Sequence, residues 1–265
     1  MEPSTRYRIG WETLTETVGK AEEGVIGRVR EICPDLAKYI IEYEYGEIQS
    51  RDILDRKSRE IAIVAALSAM GNTRSQLRVH LNGALNVGCS INEVKEILIQ
   101  ISAYSGFPSS INAINAFREV IAERKKRGIV DLVGEDPTPL VSSDRYATGA
   151  RVLSMIDSTQ VQNLEETYND FCPDLVRFVI EYGYADIFSR DNLGPKYREI
   201  VTIAALSALG TAEPQLKFHI NAGMNIGLNA PEIKEIMLLI TVIAGFPSAL
   251  NGINVLQQVM QERSR

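Results

Sequence analysis

An all-α fold, built twice in tandem, is predicted by three observations on this 265-residue chain. The first is self-similarity. At a fixed offset of 139 residues, 44 of the 94 positions from Cys33 to Lys126 match their counterparts, without insertion or deletion. A period this long marks duplication of a whole folding unit. The second is periodicity, because apolar residues recur at helical spacing in both copies and no stretch alternates convincingly as a strand does. The third is punctuation, with N-cap, capping-box and helix-opening proline residues standing where such helices must begin. The copies span residues 6–126 and 145–265. Residues 127–144 between them carry two prolines, two glycines and no sustained period, and read as an ordered connector or a linker.

Taken in order, Leu14, Val18, Val25, Val29 and Ile32 keep a helical drift through the first segment, weakened by Gly19, Gly24 and Gly27. Pro34 suits the first turn of a second helix reaching to about Gly46. Asp55 suits the N-cap of a third, and its counterpart Gly194 is followed by Pro195, which belongs at a first helical position. Thr73 in "TRSQ" and Ser90 in "SINE" both have capping-box spacing, and Gly88 ends the helix between them. Pro108 opens the last helix, which runs to the charged "ERKKR". Each copy is therefore a unit of five or six helices.

The 45% apolar content is enough for a sizeable core. A net charge of -6 and a pI near 5.2 leave no basic stripe, so nucleic acid and anionic membrane surfaces are poor candidates as partners. The longest apolar run, around Ile61 to Met70, is too short to span a bilayer, and the amino terminus lacks the apolar core of a signal peptide. Cys33, Cys89 and Cys172 are odd in number and contain no CxxC, which argues against a disulfide framework and a tetrahedral zinc site. Reduced thiols fit a cytoplasmic protein.

Candidate chemistry centres on the only two histidines, His80 in "QLRVHLNGALNVG" and His219 in "QLKFHINAGMNIG". On a helix, His80 shares a face with Gln76, Leu77, Gly83, Ala84 and Val87, which predicts a packed surface and a partly buried ring. A buried imidazole without partners costs about 1–3 kcal/mol. Glu60 is the candidate partner. Helices over 56–70 and 74–87 must run antiparallel, leaving an axial offset of about 6 Å that a glutamate side chain and a small tilt can close. A pairing across a subunit contact would serve equally. Both residues also have a plain structural reading, His80 as a satisfied core histidine and Glu60 as a carboxylate favoured by the start of its helix. Arg59 and Arg198, beside the glutamates, are candidate anchors for a substrate carboxylate. The Gly-Phe-Pro break in "AYSGFPSSINAIN" is either an anion site at a helix start or an ordinary corner. Tyr104 becomes Ile243 and Gln100 becomes Leu239 in the second copy, so two sites lined by these positions are not equivalent.

The ordered combination QLxxH, G, E(V/I)KE and GFP, present in both copies, resembles the carboxymuconolactone decarboxylase family of the alkylhydroperoxidase-D-like superfamily. The resemblance covers most of both repeats. It implies an all-helical tandem member standing in for a dimer, with three chains completing a six-repeat ring, a homotrimer. In the peroxidase branch a CxxC pair precedes the helix histidine and a glutamate lies upstream. By that motif Glu60 and Glu199 match the glutamate and His80 and His219 the histidine, while Thr73, Gln76, Ala212 and Gln215 occupy the cysteine positions. Peroxide reduction needs a low-pKa thiolate and a resolving thiol, so the departure tells against it. The decarboxylase branch implies loss of carbon dioxide from a small carboxylated lactone, with no metal or organic cofactor. His80 and His219 are then the acids, Glu60 and Glu199 their orienters, and Arg59, Arg198 and Tyr104 the substrate-binding candidates. A thiol peroxidase using Cys33, Cys89 or Cys172, and a non-catalytic helical ring protein, are the alternatives.

Overall fold

The structure, a computed structural model, describes residues 3–140 and 144–265, with the side chains of Lys20, Ala21, Glu22, Glu23 and Val25 outside the description. All regular elements among the described residues are helical. The first copy comprises α1 (Thr5–Thr17), α2 (Lys20–Ile32), α3 (Pro34–Tyr39), a π-helical segment (Ile40–Gln49), α4 (Arg56–Met70), α5 (Arg74–Asn86) and α6 (Ile91–Lys126). The second repeats the order, except that the counterpart of α6, which is kinked at Gly106, is divided in two: α7 (Arg145–Ile156), α8 (Gln160–Tyr168), α9 (Pro173–Phe178), a second π-helical segment (Val179–Phe188), α10 (Pro195–Leu209), α11 (Glu213–Asn225), α12 (Ala230–Ile243) and α13 (Phe246–Arg263).

Local chemistry accounts for most boundaries. Asp55 caps α4 by accepting from the Ser58 N–H at 2.9 Å, and Ser90 and Glu93 form the expected capping box at the start of α6. Three expectations are corrected. The first segment is two helices, because Gly19 adopts φ 66° and turns the chain between α1 and α2. The side chain of Val25, part of that predicted drift, lies outside the described residues. The helix opened by Pro34 does not stop near Gly46 but continues to Gln49 with π geometry. Thr73 makes no capping bond, since its hydroxyl donates to the Leu67 carbonyl at 2.8 Å.

The π segments explain a repeated glycine. A Cβ at Gly10 would lie 1.9 Å from the Ile41 carbonyl oxygen, and one at Gly149 would lie 2.0 Å from that of Ile180. Only glycine lets α1 and α7 approach these backbones, which is why one recurs four residues after Arg6 and after Arg145.

The two copies share one hydrophobic core, in which α4 and α10 pack against each other at the centre. Satellite clusters sit beneath α1–α3 and α7–α8. Two equivalent arginines, each in the sequence "SRD" of its copy, cross between repeats. Arg51 forks onto the buried Glu235 at 2.8–3.0 Å, and Arg190 forks onto the buried Glu96 at 2.7–2.8 Å. Burial pushes the Glu96 carboxyl up, but hydrogen bonds from Arg190 and Arg198 outweigh it and hold the group below the ordinary carboxylate range. The described part of the 127–144 segment is ordered. Leu132 and Val133 accept from the Ile91 and Asn92 N–H groups, and Thr138 bonds Asp191 of the second repeat. No helix among the described residues is long and apolar enough to cross a membrane.

Candidate active site

Each histidine meets its glutamate within its own repeat. His80 on α5 approaches Glu60 on α4 with Nδ1 3.1 Å from Oε2 and 3.4 Å from Oε1. His219 on α11 lies 2.9 Å from Glu199 Oε2 on α10. The antiparallel helix pair closes the predicted axial gap without a second chain. All four side chains are buried, Glu199 completely. The helix face carrying His80 is packed at Leu77, Gly83 and Ala84, as the spacing predicts, whereas Gln76 is exposed. Gly83 makes room for the carboxylate, since a Cβ there would stand 2.8 Å from Glu60 Oε2. Ala222 occupies that position in the second repeat, where Glu199 holds its histidine through one oxygen and Oε1 has no hydrogen-bond partner among the described residues.

The other ring nitrogen distinguishes the two sites. The Tyr104 hydroxyl, reaching across from α6 of the first repeat, lies 3.1 Å from His219 Nε2. With Glu199 accepting from Nδ1–H, Nε2 becomes the acceptor and the phenol the donor. Burial, followed by the Glu199 charge, raises the Tyr104 pKa and keeps its proton in place. Phe188 and Phe218 pack against the same imidazole, and Tyr184 packs on Phe188. At His80, Gln49 stands in the place of Phe188 and Val79 in that of Phe218, and Glu44 adds a carboxylate where the second repeat has Gly183. Glu44 Oε1 lies 3.8 Å from Nε2, and Gln49 donates to the same oxygen at 3.2 Å. Glu44 and Gln49 sit on the first π segment, as Phe188 does on the second, so these segments supply one wall of each site.

Gln100 completes the difference. One turn before Tyr104, it donates to the Arg198 carbonyl at 2.7 Å and the Thr202 hydroxyl at 2.9 Å, both on α10. Its counterpart Leu239, and Ile63 in place of Thr202, belong instead to the apolar core. Glu44 and Gln49 escaped the sequence reading. Their replacement by Gly183 and Phe188 was the available signal, identical in kind to that which drew attention to Tyr104.

The arginines beside the glutamates have structural partners. Arg59 donates to the carbonyls of Gln49 and Arg51, and to that of Leu54 at 2.7 Å. Arg198 donates to the Arg190 carbonyl at 2.7 Å, Glu96 at 3.0 Å and Gln100 at 3.1 Å. Both guanidinium groups are buried and point at the loop following the π segment of their repeat. Cys89 is buried and its thiol is pushed up to about 12, chiefly by that burial, opposite to the needs of a nucleophilic thiolate. Cys33 and Cys172 are exposed, each preceding the proline that opens a short helix.

A helical unit present twice, with a buried Glu–His pair at the same place in each, defines the class: a tandem all-helical protein whose halves carry matched but unequal Glu–His pairs. The chain belongs to the carboxymuconolactone decarboxylase family, whose model matches residues 34–119 and 173–258. A 4-carboxymuconolactone decarboxylase of Acinetobacter baylyi is 32% identical over 124 residues, covering 46% of this chain and 92% of that relative. Nitrosuccinic acid decarboxylase npaB of Metarhizium robertsii is 28% identical over 89 residues, 34% of this chain and 62% of the relative. Peroxisomal protein 2 of Saccharomyces cerevisiae is 33% identical over 91 residues, 33% of this chain and 32% of the relative.

Proposed function

We propose that the chain is a cofactor-independent decarboxylase acting on a small carboxylated lactone or related ring, with histidine as general acid. The observation that carries this reading is the buried Glu–His contact repeated in both copies, at 3.1 Å and 2.9 Å. Two relatives named as decarboxylases support the reaction type. In the reaction, the bond from the ring to the carboxylate carbon breaks and carbon dioxide leaves. The electron pair is delocalised through the ring onto the lactone carbonyl, and a ring carbon takes a proton from Nε2 of a histidine that enters the reaction protonated at both nitrogens. The glutamate at Nδ1 fixes the ring orientation, and a solvent proton restores the acid. Burial of the dyads supplies the low-polarity surroundings that favour loss of charge from a carboxylate.

Tyr104 is the candidate for substrate contact in the second site, where its phenol already addresses Nε2. We assign Arg59 and Arg198 to holding the loop after each π segment, because their donors face main-chain carbonyls and, for Arg198, Glu96 and Gln100. We place the protein in the cytoplasm, as its reduced-thiol composition suggests, and as a homotrimer.

The test is carbon dioxide release and lactone loss with 4-carboxymuconolactone, comparing the native chain with a folded His80→Ala, His219→Ala double variant. A fall of about a hundred- to ten-thousandfold is expected, the usual contribution of a positioned acid or base. Equal turnover in both proteins, or none in the native chain, rejects the reading.

A further inference from the structure

We infer that a cleft at the start of α5, separate from both dyads, binds a small oxyanion of the phosphate or carboxylate class. The cleft encloses about 210 Å³, and its polar lining comes from Ser68, Thr73, Arg74, Ser109 and Asn112. That volume suits an ion of a few heavy atoms and is below the range of larger organic ligands. The lining contains no carboxylate, and Arg74 is its one charged side chain. The charge carried by the lining side chains is therefore positive.

Two independent features point to a ligand. No side chain caps the 13-residue helix α5, because the Thr73 hydroxyl is directed to the Leu67 carbonyl, so the first-turn N–H groups of Arg74, Ser75 and Gln76 lack a side-chain acceptor. Such groups and the helix dipole favour an anion. In addition, Ser68 is only 1% exposed, yet its hydroxyl has no hydrogen-bond partner among the described residues. A buried hydroxyl normally finds a partner, and an oxyanion in this cleft would provide one. Arg74 also pairs with Glu119 through Nη2.

The second repeat is an internal control. There Ser207 is satisfied by the Met237 sulfur at 3.4 Å, and Ala212 stands for Thr73. Glu213 reverses the charge of Arg74, and Pro214 lacks the N–H that Ser75 offers. The same helix start has become hostile to anions, so binding belongs to the first repeat alone.

Titration of the isotope-labelled full chain with inorganic phosphate at constant ionic strength tests this, with backbone amide resonances as the readout. Saturable shifts are expected at Arg74, Ser75 and Gln76 and none at Glu213 or Gln215. Arg74→Glu, which installs the second repeat's charge, should weaken binding by about tenfold or more. Ser68→Ala should weaken it less while leaving the fold intact. Acetate competition would assign the site to carboxylates, and its absence to phosphate. Linear shifts without saturation, equal shifts in both repeats, or unchanged affinity in Arg74→Glu would overturn the proposal.

Discussion

Tyr104 carries the clearest consequence at the residue scale. Its hydroxyl supplies the hydrogen bond at His219 Nε2, and the positions around that ring are aromatic. Tyr104→Phe keeps the ring packing and removes the donor, leaving a buried acceptor unsatisfied. We expect a loss of about 1–3 kcal/mol in denaturant-unfolding stability. Gln100→Leu, which copies the second repeat's own Leu239, should couple to it, because both side chains leave the same face of α6 for the second repeat. Additive losses in a double-mutant cycle would show that no such coupling exists. His80 has Ile243 in the place of Tyr104 and does not share this dependence.

At the scale of elements, the seating of α1 and α7 on the π segments is the most exacting contact. A methyl group at Gly10 would be driven into the Ile41 carbonyl at 1.9 Å, a backbone atom that cannot swing aside. Gly10→Ala should therefore destabilise the chain by about 1–3 kcal/mol or more, as overpacking does. Gly27, inside α2, has nothing within 4 Å of the equivalent position. Gly27→Ala should stabilise by about 0.5–1 kcal/mol through helix propensity alone. Opposite signs in the two thermal unfolding midpoints check the pair, and a shared sign would contradict the close-approach account. The same contact shows where sequence reading stopped. The recurrence of glycine at positions 10 and 149 is visible in the sequence, but its cause depends on the π geometry of a segment distant along the chain.

For the whole molecule, ten of the exposed large apolar side chains form five matched pairs. Ile32 and Phe171 are 89% and 94% exposed, and Leu36 with Leu175, Tyr39 with Phe178, Phe107 with Phe246, and Ile111 with Leu250 repeat the correspondence. Apolar exposure at equivalent places of both halves supports the proposed self-association. Light scattering should give the mass of three chains of 29.4 kDa, and Phe107→Asp with Phe246→Asp should reduce it. A single-chain mass for the native protein would reject the trimer. The sequence by itself determined the duplication, the helical class, most helix starts and the Glu–His candidates, because periodicity, capping and repeat offset are local or one-dimensional signals. Only the tertiary structure decided that the dyads close within each repeat, that Tyr104 serves the histidine of the other repeat, and that Arg59 and Arg198 face carbonyls and structural partners. Those outcomes depend on how α4, α6 and α10 lie against one another, a relation between distant segments that spacing along one chain does not encode.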